Sequence, residues 1–283
     1  MIIKAFAKIN WHLAVLGQRQ DGYHELDMVM QHIDLFDLLD IEPANALHLS
    51  VSGDSSLQAD DSNLVLRAAR ALQKASRGLS GARISLHKAI PSGAGLGGGS
   101  ADAAAVLYGL NEMWYLGYTQ TELQAIGLSI GADVPFCLEP GPAHVHGIGE
   151  FIKPFKLDSI YYMVIVKPQE SLSTKEVFAG FASWGAAHGR PIAQEVIAAL
   201  KSCNLPLLKD KAYNDLQQPA IAQMPKIRHA IDDLYALGAG FAQMSGSGSA
   251  VFGVFENKDK AAAACDKIRN SYAFCQVCST LVC

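Results

Sequence analysis

Pro91-Ser-Gly-Ala-Gly-Leu-Gly-Gly-Gly-Ser-Ala-Asp-Ala-Ala-Ala105 sets five glycines within seven positions directly ahead of a run of small helix formers. Glycine lets a backbone take positive φ and come close to a ligand. The first turn of a helix adds unpaired N–H groups and the positive end of its dipole, both suited to phosphate. A flexible linker is the competing reading, but linkers rarely run from a strand straight into an alanine-rich helix without polar spacers. The stretch therefore reads as a cradle for a di- or triphosphate. Gly93 to Gly98 spells G-x-G-x-x-G, yet a Rossmann turn follows its strand at once, whereas residues 88–92 intervene here. A Walker A loop needs a lysine before its serine, and Gly99-Ser100 has none. A protein-kinase loop needs His-Arg-Asp and Asp-Phe-Gly downstream, and neither string occurs. A different glycine-rich cradle remains.

Outward from this loop, residues 1–55 read as short strands at 11–16, 28–33, 38–42 and 47–51 with polar turns between them, a mostly antiparallel sheet. Residues 63–75 turn helical, with Val65, Ala68, Ala69 and Leu72 at i, i+3, i+4 and i+7, and Ile84 and Leu86 alternate as a strand leading into the glycines. A helix is expected over 101–110. Thr119-Gln-Thr-Glu122 has capping-box spacing for another, ending near Gly131. Pro140 and Pro142 break the chain before two strand-like pieces and an apolar strand at 161–166. Helices follow at 175–179, 192–200 and 227–237, and strands near Phe241, at 250–255 and at 274–278. No repeat or low-complexity segment interrupts this order. The expectation is an α+β fold of two domains, 1–155 and 156–283.

The 283 residues, 50% hydrophobic and 18% charged with mean hydropathy +0.14, supply ample core and argue against disorder. The formal charge of -4 lacks the basic excess that sequence-independent nucleic-acid binding needs, so no nucleic-acid partner is expected. No apolar run approaches the roughly 20 residues of a membrane span, and the first residues lack secretory organisation; no membrane partner and a cytoplasmic location are expected. Six cysteines, three of them after residue 274, read as reduced thiols. Cys275 and Cys278 are separated by an odd number in a strand and should face opposite ways. His144 and His146 share a strand face without a third ligand at familiar spacing, so hydrogen-bonded histidines are the expectation.

Pro91-x-x-x-Gly95-Leu-Gly-Gly-Gly-Ser-Ala101 resembles the central motif of the galactokinase, homoserine, mevalonate and phosphomevalonate kinase (GHMP) superfamily. Ala7-Lys-Ile-Asn10, Gly17-Gln-Arg-Gln-Asp-Gly-Tyr-His24, Gly131-Ala-Asp-Val-Pro-Phe136 and Met244-Ser-Gly-Ser-Gly-Ser249 resemble the branch whose acceptor is a cytidine diphosphate-linked polyol, 4-diphosphocytidyl-2-C-methylerythritol. The match spans almost the whole chain in order. It implies an N-terminal domain like domain 2 of ribosomal protein S5, a GHMP C-terminal α+β domain, and ATP-dependent phosphorylation of that acceptor's 2-hydroxyl in non-mevalonate isoprenoid precursor synthesis.

Read alone, Asp133 is a capping or surface aspartate, held between Gly131 and Pro135 where it can face a cleft; Lys8 is an exposed strand lysine. The resemblance implies instead that Asp133 is the general base and that Lys8 sits beside it, favouring its charge and orienting the hydroxyl. Asn10, Tyr23 and His24 look like a strand amide, a core aromatic and a backbone-satisfied histidine. By resemblance they line the acceptor pocket, Tyr23 stacking on cytosine with Phe178 as the opposite wall, His24 reading its edge and Asn10 near the polyol, with Thr174 also among the acceptor-binding residues. For ATP the resemblance implies Asn63 and Lys88 at the adenosine end, with Asp102 on the adenine side. Pro91, Gly93, Gly95, Leu96, Gly97, Gly98, Gly99, Ser100 and Ala101 form the cradle, and Gly246 and Gly248 approach from the second domain. Mg²⁺ is implied by the triphosphate chemistry, with no dedicated carboxylate ligand evident and Ser100 the one hydroxyl at hand. A monomer or weak homodimer is expected. Another small-molecule GHMP kinase and a non-catalytic GHMP-fold sensor are the rival readings; retention of both Lys8 and Asp133 argues against the sensor.

Overall fold

A computed structural model describes residues 1–76, 78, 80–181 and 192–282. The first lobe grows from one long antiparallel hairpin, β1 (Ile2–Gln18) and β2 (His24–Ala44). Gly22 turns the hairpin at φ 86°, a conformation that only glycine adopts freely. β3 (Leu47–Ser52) runs parallel to β4 (Gly81–His87), which pairs antiparallel with the C-terminal half of β2. β5 (Ala143–Gly147) pairs with its N-terminal half and carries β6 (Phe151–Pro154) at the edge. Helices α1 (Leu64–Ser76), α2 (Gly98–Met113), α3 (Gln120–Leu128) and α4 (Val134–Cys137) belong to this lobe. In α1 the expected stripe of Val65, Ala68, Ala69 and Leu72 is buried, and α3 starts with the full Thr119–Glu122 capping box. Small residues let α2 lie close on the sheet: a Cβ at Gly109 would stand 2.5 Å from Ile3 Cδ1.

The second lobe has the strands β7 (Tyr162–Lys167), β8 (Phe241–Met244), β9 (Val251–Phe255) and β10 (Phe274–Ser279), ordered β10-β7-β9-β8 with every neighbour antiparallel. Its helices are α5 (Thr174–Phe181), α6 (Ala193–Lys201), α7 (Leu205–Lys211), α8 (Gln217–Gln223), α9 (Lys226–Ala236) and α10 (Lys258–Ile268). One hydrophobic cluster lies within the first lobe, between its sheet and α1 to α3. Two others join residues of both lobes; in one of them fully buried Trp11 meets Tyr161 and Phe252 edge-on at 5.2 and 5.5 Å.

Several expectations need correction. Strands expected at 28–33 and 38–42 are one continuous β2, because Asp34 and Asp37 are not turn residues. Asp34 accepts from the Ser279 backbone N–H (2.7 Å) and hydroxyl (2.8 Å), while Asp37 is fully buried. Helices α4, α7, α8 and α10 lie outside the sequence expectations, although Asn204 and Asn257 cap α7 and α10. Cys275 and Cys278 pack into different hydrophobic clusters on opposite faces of β10, and Cys283 lies outside the described residues. His144 is hydrogen-bonded, its Nε2 lying 2.5 Å from Asp27 Oδ1.

Candidate active site

A cavity of about 1090 Å³ opens between the lobes. Lys8 reaches it from β1, between register shifts at Phe6/Lys8 and Asn10/His12. Its stem is buried, and its Nζ donates to Asn10 Oδ1 at 2.7 Å and lies 3.2 Å from Asp133 Oδ2. A buried ammonium persists only where such partners compensate its lost hydration. Asp133 stands at the N-terminus of α4, but its carboxylate makes no capping hydrogen bond. With its side chain 32% exposed, it faces Lys8 and the cleft. The capping role that its position suggests is thus not the one it plays.

The glycine loop forms the cavity floor. Gly97 precedes α2 in a left-handed conformation, φ 69°, and no side chain caps the helix start, so its first N–H groups remain for a ligand. The glycines also serve the protein's own packing. A Cβ at Gly95 would lie 2.1 Å from Ser245 O in the loop after β8, and one at Gly97 would lie 2.9 Å from Lys8 Cγ. Pro91, Gly93, Leu96, Gly98, Gly99 and Ser100 line the cleft. Ala101 does not belong with them: its side chain is in the first-lobe core and its N–H bonds to Gly97 O at 2.8 Å.

Lys88 lines the cleft, but its ammonium is held between Asp37 and Asp102, 2.7 Å from the latter. Asp37 Oδ1 also accepts from the N–H groups of Ala89 (2.6 Å) and Ile90 (2.8 Å). This triad pins the strand that enters the glycine loop to the helix that leaves it. Burial works against the Lys88 charge, yet the two carboxylates hold its pKa above the usual lysine value. Burial pushes the Asp102 carboxyl up to about 7, Lys88 pulling against the shift and the Asp37 charge adding to it. Asp102 Oδ1 has no hydrogen-bond partner among the described residues. The Asn63 amide is engaged locally, accepting from Val65 N and donating to Gln58 O, each at 3.0 Å.

At the other end of the cleft, His24 stacks on Phe178 with ring centroids 4.7 Å apart and planes at 26°. Tyr23 is 58% exposed and also lines the cleft; the ring facing Phe178 is thus His24 and not Tyr23. Thr174 Oγ1 lies 2.8 Å from Ser247 Oγ, tying α5 to the loop that carries Gly246 and Gly248.

Residues 63–141 match the family model for the GHMP kinases N terminal domain and residues 196–273 that for GHMP kinases C terminal. The 4-diphosphocytidyl-2-C-methyl-D-erythritol kinase of Carboxydothermus hydrogenoformans is 44% identical over 261 residues, 92% of this chain and 90% of its own. This chain belongs to the 4-diphosphocytidyl-2-C-methyl-D-erythritol kinase family. A crystal structure titled 4-(cytidine 5'-diphospho)-2C-methyl-D-erythritol kinase aligns with TM-score 0.84 and 33% identity over 99% of both chains. Homoserine kinase from Cytophaga hutchinsonii aligns with TM-score 0.73 at 17% identity, over 98% of this chain and 94% of its own, and so shares the fold.

This 4-diphosphocytidyl-2-C-methyl-D-erythritol kinase family member also uses residues that sequence reading passed over. Asp37 looked like a turn residue and gives no local sign of its buried partners. Asn214, in a bridge to Leu13 of β1, donates to Met244 O (2.9 Å) and Gly246 O (2.7 Å) and accepts from Leu216 N (2.9 Å), fixing the second-lobe glycine turn. Its partners are 30 or more residues away except for Leu216, so no spacing rule could find it.

Proposed function

We propose that this chain transfers the γ-phosphoryl group of ATP to the 2-hydroxyl of 4-diphosphocytidyl-2-C-methyl-D-erythritol, in the non-mevalonate supply of isoprenoid precursors. The observation that carries the reading is the pairing of Lys8 Nζ and Asp133 Oδ2 at 3.2 Å beside an uncapped, glycine-rich helix start. Phosphoryl transfer asks a protein mainly to position and to neutralise charge. The glycine-loop N–H groups hold the β- and γ-phosphates. Asp133 orients the acceptor hydroxyl and takes its proton as the oxygen attacks phosphorus. Lys8 keeps that carboxylate in place and offsets negative charge developing on the transferred group.

The triphosphate chemistry implies Mg²⁺ as a counter-charge. No cluster of three or more His, Cys, Asp or Glu able to hold a metal occurs among the described residues. The Ser100 hydroxyl on the cleft wall suits an ion that keeps most of its water and takes its other oxygens from phosphate. Bound there, Mg²⁺ would neutralise phosphate charge.

On the acceptor side Tyr23 and Phe178 form the walls for cytosine. His24 exchanges its stacking on Phe178 for the edge of the base, Thr174 lies beside the polyol linkage, and Asn10 faces the polyol. The test is a coupled ADP-release assay with the cytidyl acceptor, followed by competition with CMP and CDP. Turnover that either nucleotide inhibits competitively against the acceptor supports this function. ADP release only with other alcohols would assign another acceptor, and tight ATP binding without ADP release would assign a sensor.

A further inference from the structure

The shift in β1 between Asn10 and His12 leaves Trp11 outside the regular ladder with β2. Such a bulge re-aims neighbouring side chains and leaves backbone groups without sheet partners. Here the partners come from the other lobe. Gln243 Nε2, on β8, donates to both Asn10 O and Trp11 O at 3.2 Å. Two residues later, Ser245 Oγ accepts from the Asn10 N–H at 3.3 Å and donates to Gly95 O at 3.0 Å. Gln243 is 3% exposed and Ser245 0%, and neither belongs to the cleft wall. The backbone they grip carries the Asn10 amide, which accepts from Lys8 Nζ at 2.7 Å, and Lys8 in turn faces Asp133. A continuous line of hydrogen bonds therefore runs from β8 of the second lobe to the reacting end of the first.

We propose that Gln243 and Ser245 are positioning residues that hold the β1 bulge in the geometry aiming Lys8 and Asn10 at Asp133, and that Ser245 ties this register to the glycine loop through Gly95. The inference rests on the reading of Lys8 and Asp133 as the phosphoryl-transfer centre. Neither residue touches a substrate, so removing them should alter the alignment of the reacting groups and leave ground-state binding nearly intact. Misplacement by about 1 Å at a reacting centre costs on the order of a hundredfold in rate. Replacing Gln243 in particular takes a side-chain donor from two carbonyls of the bulge, and the bulge relaxes toward other partners.

The experiment compares Gln243→Met, Ser245→Ala and Lys8→Ala in the full chain, well below each variant's Tm and with rates normalised to folded protein. Gln243→Met should lower kcat on the order of a hundredfold while both KM values stay near wild type. Ser245→Ala should lower kcat in the same direction, and because it removes a single hydroxyl it decides the matter should Gln243→Met not fold. A merely structural role predicts lower Tm with kcat per folded molecule unchanged. A kcat within about threefold of wild type in the folded variants, or losses confined to KM, would overturn the proposal. Lys8→Ala separates the two levels: normal kcat there sinks the reading of the centre itself, whereas a collapsed kcat there beside normal values in the other variants sinks only the positioning role.

Discussion

Gly97→Ala is the smallest change that tests how the glycine loop and Lys8, the proposed partner of the base, are built together. The added Cβ would sit 2.9 Å from Lys8 Cγ and 3.0 Å from Cε. It cannot be absorbed by a free side-chain end, because the ammonium beyond those carbons is fixed by Asn10 and Asp133. The backbone adds a second strain: at φ 69° an L-residue costs about 1 to 2 kcal/mol. At about 2 to 4 °C per kcal/mol for a large domain, Tm should fall by about 2 to 8 °C. The chemical consequence should be greater than the loss of stability. Moving the Lys8 stem shifts its ammonium away from Asp133, and kcat should fall on the order of a hundredfold, while ATP binding by calorimetry stays close to wild type because the loop's N–H groups remain. The measurement is kcat at saturating substrates alongside ATP affinity and Tm. If ATP affinity collapses while kcat at saturation is preserved, Gly97 serves phosphate approach alone and the packing argument against Lys8 is wrong.

Asp133→Asn should bind ATP normally and lose about 10² to 10⁴ in turnover, the worth of a positioned base; turnover within about threefold of wild type would remove it from the chemistry. Tyr23→Ala should raise acceptor KM about ten- to a hundredfold, from roughly 1 to 3 kcal/mol of lost stacking, with ATP affinity unchanged; a large fall in Tm with an unchanged acceptor KM would make Tyr23 a packing residue. The raised pKa of Asp102, about 7 against an ordinary 3.8, means that the folded state favours the protonated acid. Its contribution to stability is complete below the unfolded pKa and disappears as pH rises through 7. The Tm of Asp102→Asn relative to wild type should therefore improve between pH 5 and pH 8, and parallel Tm curves across that window would refute the assignment.

Local chemistry explains what could be read directly in the sequence. The capping box at Thr119 rests on contacts within a few residues, while the stripe of α1 and the glycine run before α2 announce themselves by periodicity and composition although their packing partners lie far off in the chain. Asp37 is the opposite case: an aspartate among apolar residues resembles a turn, and only the Lys88 ammonium and two backbone N–H groups, 51 to 53 positions away, make a buried strand aspartate tolerable. The same distance in sequence hid Gln243 and Ser245, whose hydrogen bonds to Asn10 span 233 and 235 positions. Lys8 and Asp133 became legible through whole-motif resemblance, because a strand lysine and a loop aspartate carry no signal singly. The position of His24 against Phe178 could not be read at all, since ring stacking depends on how the hairpin turn leans toward α5.

The two hydrophobic clusters that draw side chains from both lobes leave the enzyme without a free joint. Leu13, Met28 and Val145 share one cluster with Val164, Leu216 and Met244, and Ile9, Trp11 and Val29 share the other with Met163, Phe241 and Phe252. A jaw-like swing of the halves would tear both seams open, so admission of two bulky, highly charged substrates must fall to the rim: the His24 ring, the Thr174–Ser247 contact and the turn around Gly22. For the same reason, a chain severed between Pro154 and Tyr162 would yield two pieces that each expose half of a shared interior. Such fragments are candidates for reassembly on mixing and poor candidates for independent life.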